Sequence, residues 1–228
     1  MRRYKASKTY TWSPGIGYIA GLIASDGCLY KDGRHINLTS KDIDQLETFR
    51  AILNLTGTVK SKLNGFGGVG YYIQFSDVAL YDFLYNAGIE PAKSKTMKSI
   101  KIPDEFYPDF LRGYFDGDGS IYGFWDKRWK NSLMYYTTFA SASPPFLEWL
   151  YDQNLRLANV VSGKINPTTR AFALKYAKAD SRTLFEFMYY SPGLPALARK
   201  HGKFIDFFQQ DPYAVKELDA RVVKLVNT

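Results

Sequence analysis

The sequence predicts an α+β fold built from two similar halves, each ordered helix, two strands, helix, two strands, helix. Two observations predict it. The apolar segments 18–30 and 110–122 share one pattern and contain equivalent Asp-Gly pairs. The same succession of strand and helix patterns then follows each segment. Such a repeat indicates a duplicated unit. We expect eight strands in two saddle-shaped, four-stranded antiparallel sheets, with helices covering one face of each.

Segments 18–30 and 110–122 align without a gap, both in the predicted helix and in the Asp-Gly pair that ends it. Asp26-Gly27 aligns with Asp118-Gly119. Small residues recur at intervals of four in both segments, at Gly17, Gly21 and Ser25 and at Gly113 and Gly117. Residues at that spacing lie on one face of a helix and let a second backbone approach closely. We therefore expect a central interface of two helices, one from each half.

The first half continues with two hairpins separated by a helix. A turn at Asp32-Gly33 joins the first two strands, because Asp-Gly favours tight hairpin turns. Asp42 is expected to cap a helix over residues 43–53, whose apolar residues recur at helical spacing. A second hairpin joins residues 58–63 to 71–75. A closing helix starts at Asp77.

The second half repeats this order with a longer first hairpin, whose connection at 125–131 is basic and aromatic. A helix begins near Ser143, followed by two prolines that the first helical turn tolerates. A hairpin over 160–165 and 171–176 follows, and then a closing helix capped by Ser181. Aligning this helix with its counterpart in the first half pairs Lys95 with Lys200.

The repeat divides the chain into a first half at residues 1–98 and a second half at 99–210. Segment 91–104 carries two prolines and four lysines, and is expected to link the halves. Residues 211–228 form a charged tail with one further amphipathic helix.

The composition of the chain limits the classes of partner that the protein can have. The 228 residues carry a formal net charge of +8 that is spread along the chain, which favours a polyanion such as nucleic acid. Cys28 is the only cysteine, which excludes an intrachain disulfide and a thiolate metal cluster. No apolar run approaches the length of a membrane span, and no signal-type stretch follows the first residues. We expect an intracellular protein, cytoplasmic or organellar, without a membrane partner.

Asp26 and Asp118 are the candidate metal ligands. They would meet at the C-terminal ends of the paired helices, where the helix dipole is already negative. Two converging carboxylates raise one another's pKa, and a divalent cation relieves the repulsion. Oxygen ligands favour Mg²⁺ over zinc. One Asp-Gly pair alone would indicate only a turn; the second copy argues for a site. Asp116, aligned with Ala24, is expected to cap or face outward.

Residues 19–27 and 111–119 resemble the motif of the LAGLIDADG homing endonucleases, and the resemblance covers about residues 12 to 208. Single-chain members of that family are pseudo-dimers of αββαββα halves that cut long, asymmetric sites in double-stranded DNA. The resemblance therefore implies a monomeric, metal-dependent nuclease that hydrolyses phosphodiester bonds. It implies Mg²⁺ as the cofactor, with Mn²⁺ able to substitute and Ca²⁺ supporting DNA binding without cleavage.

The resemblance also implies roles for single residues. Asp26 and Asp118 would bind the catalytic cations, helped by the backbone carbonyls of Ser25 and Gly117. The catalytic lysines at the edge of the site would be Lys93 or Lys95 in the first half and Lys200 in the second.

Polar and aromatic side chains on the strands and their connections are the candidates for DNA contact. The register decides which face is open, since a one-residue slip exchanges the faces. The first-half candidates are Tyr30, Arg34, Asn37, Thr39, Lys41, Lys60, Lys62, Tyr72 and Gln74. The second-half candidates are Tyr122, Lys127, Arg128, Lys130, Tyr136, Thr138, Lys164, Arg170 and Lys175.

The first functional hypothesis is a site-specific DNA endonuclease associated with the mobility of an intron or intein. The second is an RNA-binding intron maturase or a DNA-binding regulator on the same scaffold. The third is an unrelated basic α+β enzyme that uses a paired-aspartate metal site for another reaction.

Overall fold

The computed structural model describes residues 8–63, 68–129 and 132–211. The first half consists of α1 (Pro14–Ser25), β1 (Gly27–Leu29), β2 (His35–Ser40), α2 (Ile43–Ile52), β3 (Lys60–Leu63), β4 (Val69–Ser76) and α3 (Val78–Asn86). The second half consists of α4 (Tyr107–Asp118), β5 (Gly119–Trp125), β6 (Leu133–Ser141), α5 (Pro144–Ala158), β7 (Lys164–Pro167), β8 (Phe172–Tyr176), α6 (Lys178–Met188) and α7 (Ala198–Gln210). Two short 3₁₀ turns, Lys93–Lys95 and Asp104–Phe106, lie between the halves.

The strands form two four-stranded sheets with equivalent topology. The first has the order β1-β2-β4-β3 and the second the order β5-β6-β8-β7, and every neighbouring pair is antiparallel. These sheets and helices confirm the predicted α+β fold with duplicated αββαββα halves. The helix predicted in the tail falls on residues 212–228, which lie outside the described residues, and the predicted domain boundaries stay predictions.

Several helix ends follow from local chemistry. Ser13 caps α1 by accepting a hydrogen bond from the Ile16 backbone N–H, and proline begins the helix. The Asp77 carboxylate accepts from the Leu80 N–H at the start of α3, as predicted. Ser143 precedes α5 as predicted, but its hydroxyl donates to the Met97 carbonyl at 2.5 Å.

Two predicted caps are wrong. Asp42 occupies the N-cap position of α2, yet its side chain makes no capping bond and instead pairs with Arg199 at 2.7 Å. Ser181 lies inside α6, which begins at Lys178, and its buried hydroxyl accepts from the Thr137 backbone N–H at 2.9 Å. Both side chains serve long-range contacts that local sequence does not reveal.

The α1 and α4 helices pack directly against each other, which confirms the predicted two-helix interface. A Cβ added to Gly21 would lie 2.2 Å from the Phe110 carbonyl oxygen. One added to Gly113 would lie 2.1 Å from the Tyr18 carbonyl oxygen. Because real Cβ atoms do not approach backbone oxygens so closely, these two positions require glycine. The small residues therefore set how closely the two halves approach.

Among residues 8–63, 68–129 and 132–211, helices cover one face of each sheet. In β2 the buried side chains Ile36 and Leu38 alternate with partly exposed ones, and β6 alternates in the same way. Alternating burial places one face of a strand on the core and leaves the other turned away from it. We call the uncovered face of each sheet its open face. No helix in the described ranges has the length and apolar character needed to span a membrane.

Candidate functional site

Asp26 directly follows α1 and Asp118 is the last residue of α4, so both lie at the C-terminal ends of the paired helices. The Asp26 Oδ2 atom is 3.2 Å from the position that a Cβ on Gly117 would occupy. Residue 117 adjoins Asp118, so the two aspartates come together as predicted. Asp118 is exposed and Asp26 partly exposed, which leaves both carboxylates accessible from outside.

The surroundings disfavour negative charge on both aspartates. Loss of surrounding water raises the pKa of Asp26 to about 6, and the negative charge of Asp118 adds to this rise. Desolvation also raises the pKa of Asp118, while the positive charges of Lys200 and Lys93 oppose that rise. Two carboxylates held in this way gain from a nearby cation.

A buried lysine stands beside each motif. Lys93 Nζ donates to the Gly27 carbonyl at 2.6 Å, and Lys200 Nζ donates to the Gly119 carbonyl at 2.6 Å. Each glycine directly follows its motif aspartate, so the two lysines are equivalent in the two halves. Both side chains are 6% exposed. Burial lowers the pKa of Lys200 to about 8 and also lowers the pKa of Lys93.

The alignment that paired Lys95 with Lys200 is wrong by two residues. Lys93 makes the contact equivalent to that of Lys200, whereas Lys95 is exposed at the end of the 3₁₀ turn. The connection after Gly88 is shorter than the one after Gly193, because Lys93 lies five positions after its glycine and Lys200 seven. An ungapped comparison cannot detect a deletion of this size inside a loop.

Gly117 and Ser25, whose backbone carbonyls are the predicted ligands, take part in different hydrogen bonds. The Gly117 carbonyl accepts a hydrogen bond from Lys200 Nζ at 2.7 Å, which leaves one of its two lone pairs for another partner. Lys200 also contacts the Phe115 carbonyl at 2.8 Å. Ser25 points its hydroxyl back along α1, donating to the Gly21 and Leu22 carbonyls at 3.0 and 3.1 Å.

The donor set at the helix ends fits Mg²⁺. It offers two accessible carboxylates, both with a raised pKa, together with the Gly117 backbone carbonyl oxygen. Mg²⁺ is commonly held by one or two carboxylates and completes its shell with water and substrate phosphate oxygens. In residues 8–63, 68–129 and 132–211, no group of three or more His, Cys, Asp or Glu side chains is placed to hold a metal ion.

Asp116 does not face outward, contrary to the prediction. It is 1% exposed, and its Oδ2 accepts from the Tyr18 hydroxyl and the Leu197 backbone N–H, both at 2.8 Å. These bonds connect α4 to α1 and to the residue that precedes α7. Burial raises the pKa of Asp116 to about 6. Asp116 is therefore a structural link next to the site, on the helix that carries Asp118 and near the helix that carries Lys200.

The register decides which of the predicted contact residues lie on the open faces. In the first sheet, Asn37 pairs with Gln74 and Thr39 with Tyr72, and cross-strand partners share a face. The neighbouring residues Ile36, Leu38 and Ile73 are buried on the opposite face. By the same pairing, the first open face carries Tyr30, Asn37, Thr39, Lys60, Lys62, Tyr72 and Gln74.

The second sheet follows the same rule. Tyr122 pairs with Tyr136, and Thr138 with Lys175, while Tyr135 and Phe139 are buried on the other face. The second open face carries Tyr122, Tyr136, Thr138, Lys164 and Lys175. The remaining candidates within the described residues lie between elements and are exposed: Arg34, Lys41, Lys127, Arg128 and Arg170. Lys130 lies outside the described residues.

The open faces also carry side chains that the sequence analysis did not include. Six of them are Cys28, His35, Ser120, Phe124, Met134 and Asn166. All six fit the period-two alternation of their strands, so the alternation alone could have identified them. Selection by polar or basic character removed Phe124 and Met134, whereas His35, Ser120 and Asn166 are polar and were omitted although they fit the same pattern.

No protein-family model matches the chain, and no curated protein matches it in sequence. Solved structures do match. The homing endonuclease I-WcaI bound to its DNA recognition sequence is 15% identical, with a TM-score of 0.59 over 84% of this chain and 88% of that one. The LAGLIDADG homing endonuclease I-GzeII in complex with its DNA target is 12% identical, with a TM-score of 0.60 over 95% and 97%.

Full-length DUF199/WhiA from Thermatoga maritima is 14% identical, with a TM-score of 0.56 over 96% of this chain and 71% of that one. A separate structure of its N-terminal part names that part a LAGLIDADG domain. The chain therefore has the LAGLIDADG fold, as the resemblance of its two motifs predicted.

Proposed function

From this fold and the paired motif ends, we propose that the chain is a site-specific endonuclease that hydrolyses double-stranded DNA with a divalent metal ion. One observation carries the proposal: Asp26 and Asp118, from two copies of one motif, meet at the ends of glycine-packed helices, each beside a buried lysine. If each Asp-Gly pair served only as a turn between a helix and a strand, the two aspartates would not need to meet, and no buried lysine would be needed beside them.

Asp26 and Asp118 would hold Mg²⁺, with the Gly117 carbonyl and DNA phosphate oxygens completing its shell. The bound cation would supply activation of a water molecule and neutralisation of charge on the phosphate. Mn²⁺ would substitute for it, whereas Ca²⁺ would support binding without cleavage. The carboxylates must be ionised for this, and an approaching cation favours their ionised form.

Lys93 and Lys200 would stabilise the negative charge that builds up on the phosphate. Their ammonium groups are fixed by hydrogen bonds to motif carbonyls, so they need no reorganisation during the reaction. Their equivalent positions in the two halves match the need to cut two antiparallel strands. One lysine would then serve each strand.

The DNA would lie along the two open faces, which carry lysine, amide and tyrosine side chains, and beside the exposed arginines of the connections between elements. The I-WcaI and I-GzeII structures are complexes with DNA and share this fold. Because the two open faces carry different side chains, one protein chain would recognise two different half-sites. A monomer that binds a long, asymmetric site follows from this arrangement, and such an activity suits the mobility of an intron or intein.

The test starts with a target selected by binding from a randomised DNA library and cloned into a plasmid. We expect cleavage in Mg²⁺ or Mn²⁺, and binding without cleavage in Ca²⁺. Asp26→Asn and Asp118→Asn are expected to bind the target and to lose cleavage. A plasmid that is bound tightly in Mg²⁺ but never cut would contradict the endonuclease proposal.

A second candidate function is nucleic-acid binding without cleavage, in regulation or intron splicing. It is favoured by the structural match to WhiA alongside the homing endonucleases. Intact carboxylates in both motifs favour the endonuclease. Tight binding of the selected DNA, or of an intron RNA, with wild-type affinity in both aspartate variants and no cutting by the wild type would select this second candidate.

A further inference from the structure

The first hairpin of the second half is longer than that of the first half. The β5 and β6 strands have 7 and 9 residues, whereas β1 and β2 have 3 and 6. The extension carries four neighbouring side chains that we call the aromatic patch, Tyr122, Phe124, Met134 and Tyr136. Register pairs Tyr122 with Tyr136 and Phe124 with Met134, so all four lie on the same face.

That face is the open face of the second sheet. The residues between them point the other way, since a Cβ on Gly123 would lie 2.6 Å from the Phe207 ring of α7. Tyr135 stacks on the same ring, with 5.7 Å between centroids. No other part of the described ranges covers Tyr122 or Phe124, which are 43% and 52% exposed.

The patch is internally ordered. The Tyr122 and Tyr136 rings stack with 5.7 Å between centroids, and the Phe124 and Tyr136 rings with 6.2 Å. Lys175 Nζ lies 3.7 Å from the centroid of the Tyr136 ring. Stacked rings with a cation above them lose little entropy on binding a partner, because they already contact one another.

The charges around the patch favour a polyanionic partner over an apolar protein surface. Lys164 and Lys175 lie on the same open face, and Lys127 is exposed at the hairpin connection, where Arg128 pairs with Asp126 at 2.8 Å. An apolar centre with a basic surround matches a DNA groove, where phosphates flank the base edges. The patch also continues the proposed DNA surface of the second sheet.

The two open faces differ in chemistry. The first carries Asn37 and Gln74 side by side, whose amides both donate and accept hydrogen bonds. In the second, ring faces and a thioether occupy the hairpin extension. The major groove offers one apolar group on its base edges, the 5-methyl group of thymine.

Resting on the proposed DNA binding, we propose that the aromatic patch recognises thymine through its 5-methyl group. The half-site under the second sheet then requires thymine at the positions next to the patch. The half-site under the first sheet is recognised mainly by hydrogen bonds to base edges. Removing one methyl group that is buried against the patch should weaken binding about fourfold.

The test replaces thymine by deoxyuridine in the library-selected target, which removes the methyl group and keeps the base pairing. An iron–EDTA reagent attached to Cys28, the only cysteine and exposed on the first open face, cleaves DNA nearby and identifies the half-site under the first sheet. We expect deoxyuridine to weaken Ca²⁺-supported binding by about fourfold per buried methyl in the second half-site. In the first half-site we expect less than a twofold change.

Substitutions in the aromatic patch test whether the patch causes the preference for thymine over deoxyuridine. Phe124→Asn should bind the thymine and deoxyuridine targets equally, while Phe124→Leu should keep the preference for thymine. Asn37→Ala is the matched variant on the first face, and it should weaken binding to both targets by the same factor. Thermal unfolding confirms that each variant is folded.

Equal deoxyuridine effects in the two half-sites, or none in the second, would overturn the thymine proposal while leaving DNA binding and cleavage intact. A thymine preference that persists in Phe124→Asn would also overturn it. Failure of the protein to bind any double-stranded DNA would overturn the proposed function as well, and tight binding of uracil-containing RNA in its place would assign the patch to RNA.

Discussion

Lys93 and Lys200 are the side chains that most clearly separate a nuclease centre from a simple pair of turns. Each is buried, yet each directs its ammonium group at the carbonyl that follows a motif aspartate. These backbone bonds hold a positive charge beside the motif aspartates, where both lysines lower the pKa of Asp26 and Asp118. The neighbouring Lys95 is exposed and makes a natural comparison.

We expect Lys93→Met and Lys200→Met each to slow DNA cleavage about 100-fold, the usual effect of removing one stabilising donor. Lys95→Met should stay within about twofold of the wild type. The rates are measured under single-turnover conditions, after the DNA affinity and melting temperature of each variant have been checked. A larger loss of cleavage rate in Lys95→Met than in Lys93→Met would support the ungapped alignment, which pairs Lys95 with Lys200.

Asp26 gives a prediction about folding stability that requires no DNA. Its pKa is raised to about 6 in the folded protein, so the native state binds the proton more tightly than the unfolded chain does. The stability supplied by the protonated carboxyl is therefore complete below pH 3.8 and is lost as the pH rises through 6. Above that pH the charged carboxylate weakens the fold.

Without metal, Asp26→Asn should stabilise the protein by about 1 to 3 kcal/mol at pH 8, and the gain should disappear near pH 4. Denaturant unfolding in EDTA at both pH values measures it. Adding Mg²⁺ at pH 8 should stabilise the wild type and not the variant. A variant that is less stable than the wild type at pH 8 would show that Asp26 is not repelled in the fold.

At the scale of the elements, the paired helices depend on two glycines. A methyl group at Gly21 would lie 2.2 Å from a backbone oxygen, which only a shift of one helix relieves. We expect Gly21→Ala to destabilise the protein by about 3 kcal/mol or more. The control is Gly202→Ala in α7, where an added Cβ meets nothing within 4 Å and should stabilise by about 0.5 to 1 kcal/mol.

Thermal unfolding of both variants measures the difference. Equal, small effects would mean that α1 and α4 do not approach as closely as described, and the distance between the two aspartates would then be in question.

The elements were largely predictable because their signals are local. Period-two alternation, Asp-Gly turns and small residues every four positions each specify backbone geometry over a few residues. Asp42, Asp116 and Ser181 were misassigned because their partners Arg199, Tyr18 and Thr137 are far away in sequence. Local sequence favours a cap or a surface position for such residues, and only the packed fold supplies the competing contact.

The whole molecule adds a prediction about charge. With a net charge of +8, DNA affinity should fall steeply as salt concentration rises, because bound phosphates release counterions. Lys62→Ala, on the first open face, should reduce the slope of log affinity against log salt by about 1. Lys203→Ala removes an exposed lysine from α7 on the covered side and should leave the slope unchanged.

Affinities measured between about 50 and 200 mM salt provide the two slopes. The reverse pattern, with Lys203 and not Lys62 affecting the slope, would place the DNA on the helical side of the molecule.

The proposed nuclease depends on two copies of one motif that place their aspartates at a shared metal centre. Diffraction at the manganese absorption edge, from crystals of the protein with its selected DNA and Mn²⁺, tests it most directly. We expect anomalous peaks within about 2 to 2.5 Å of carboxylate oxygens of both Asp26 and Asp118. Manganese bound elsewhere, with no peak beside these two side chains in a complete protein–DNA complex, would contradict it.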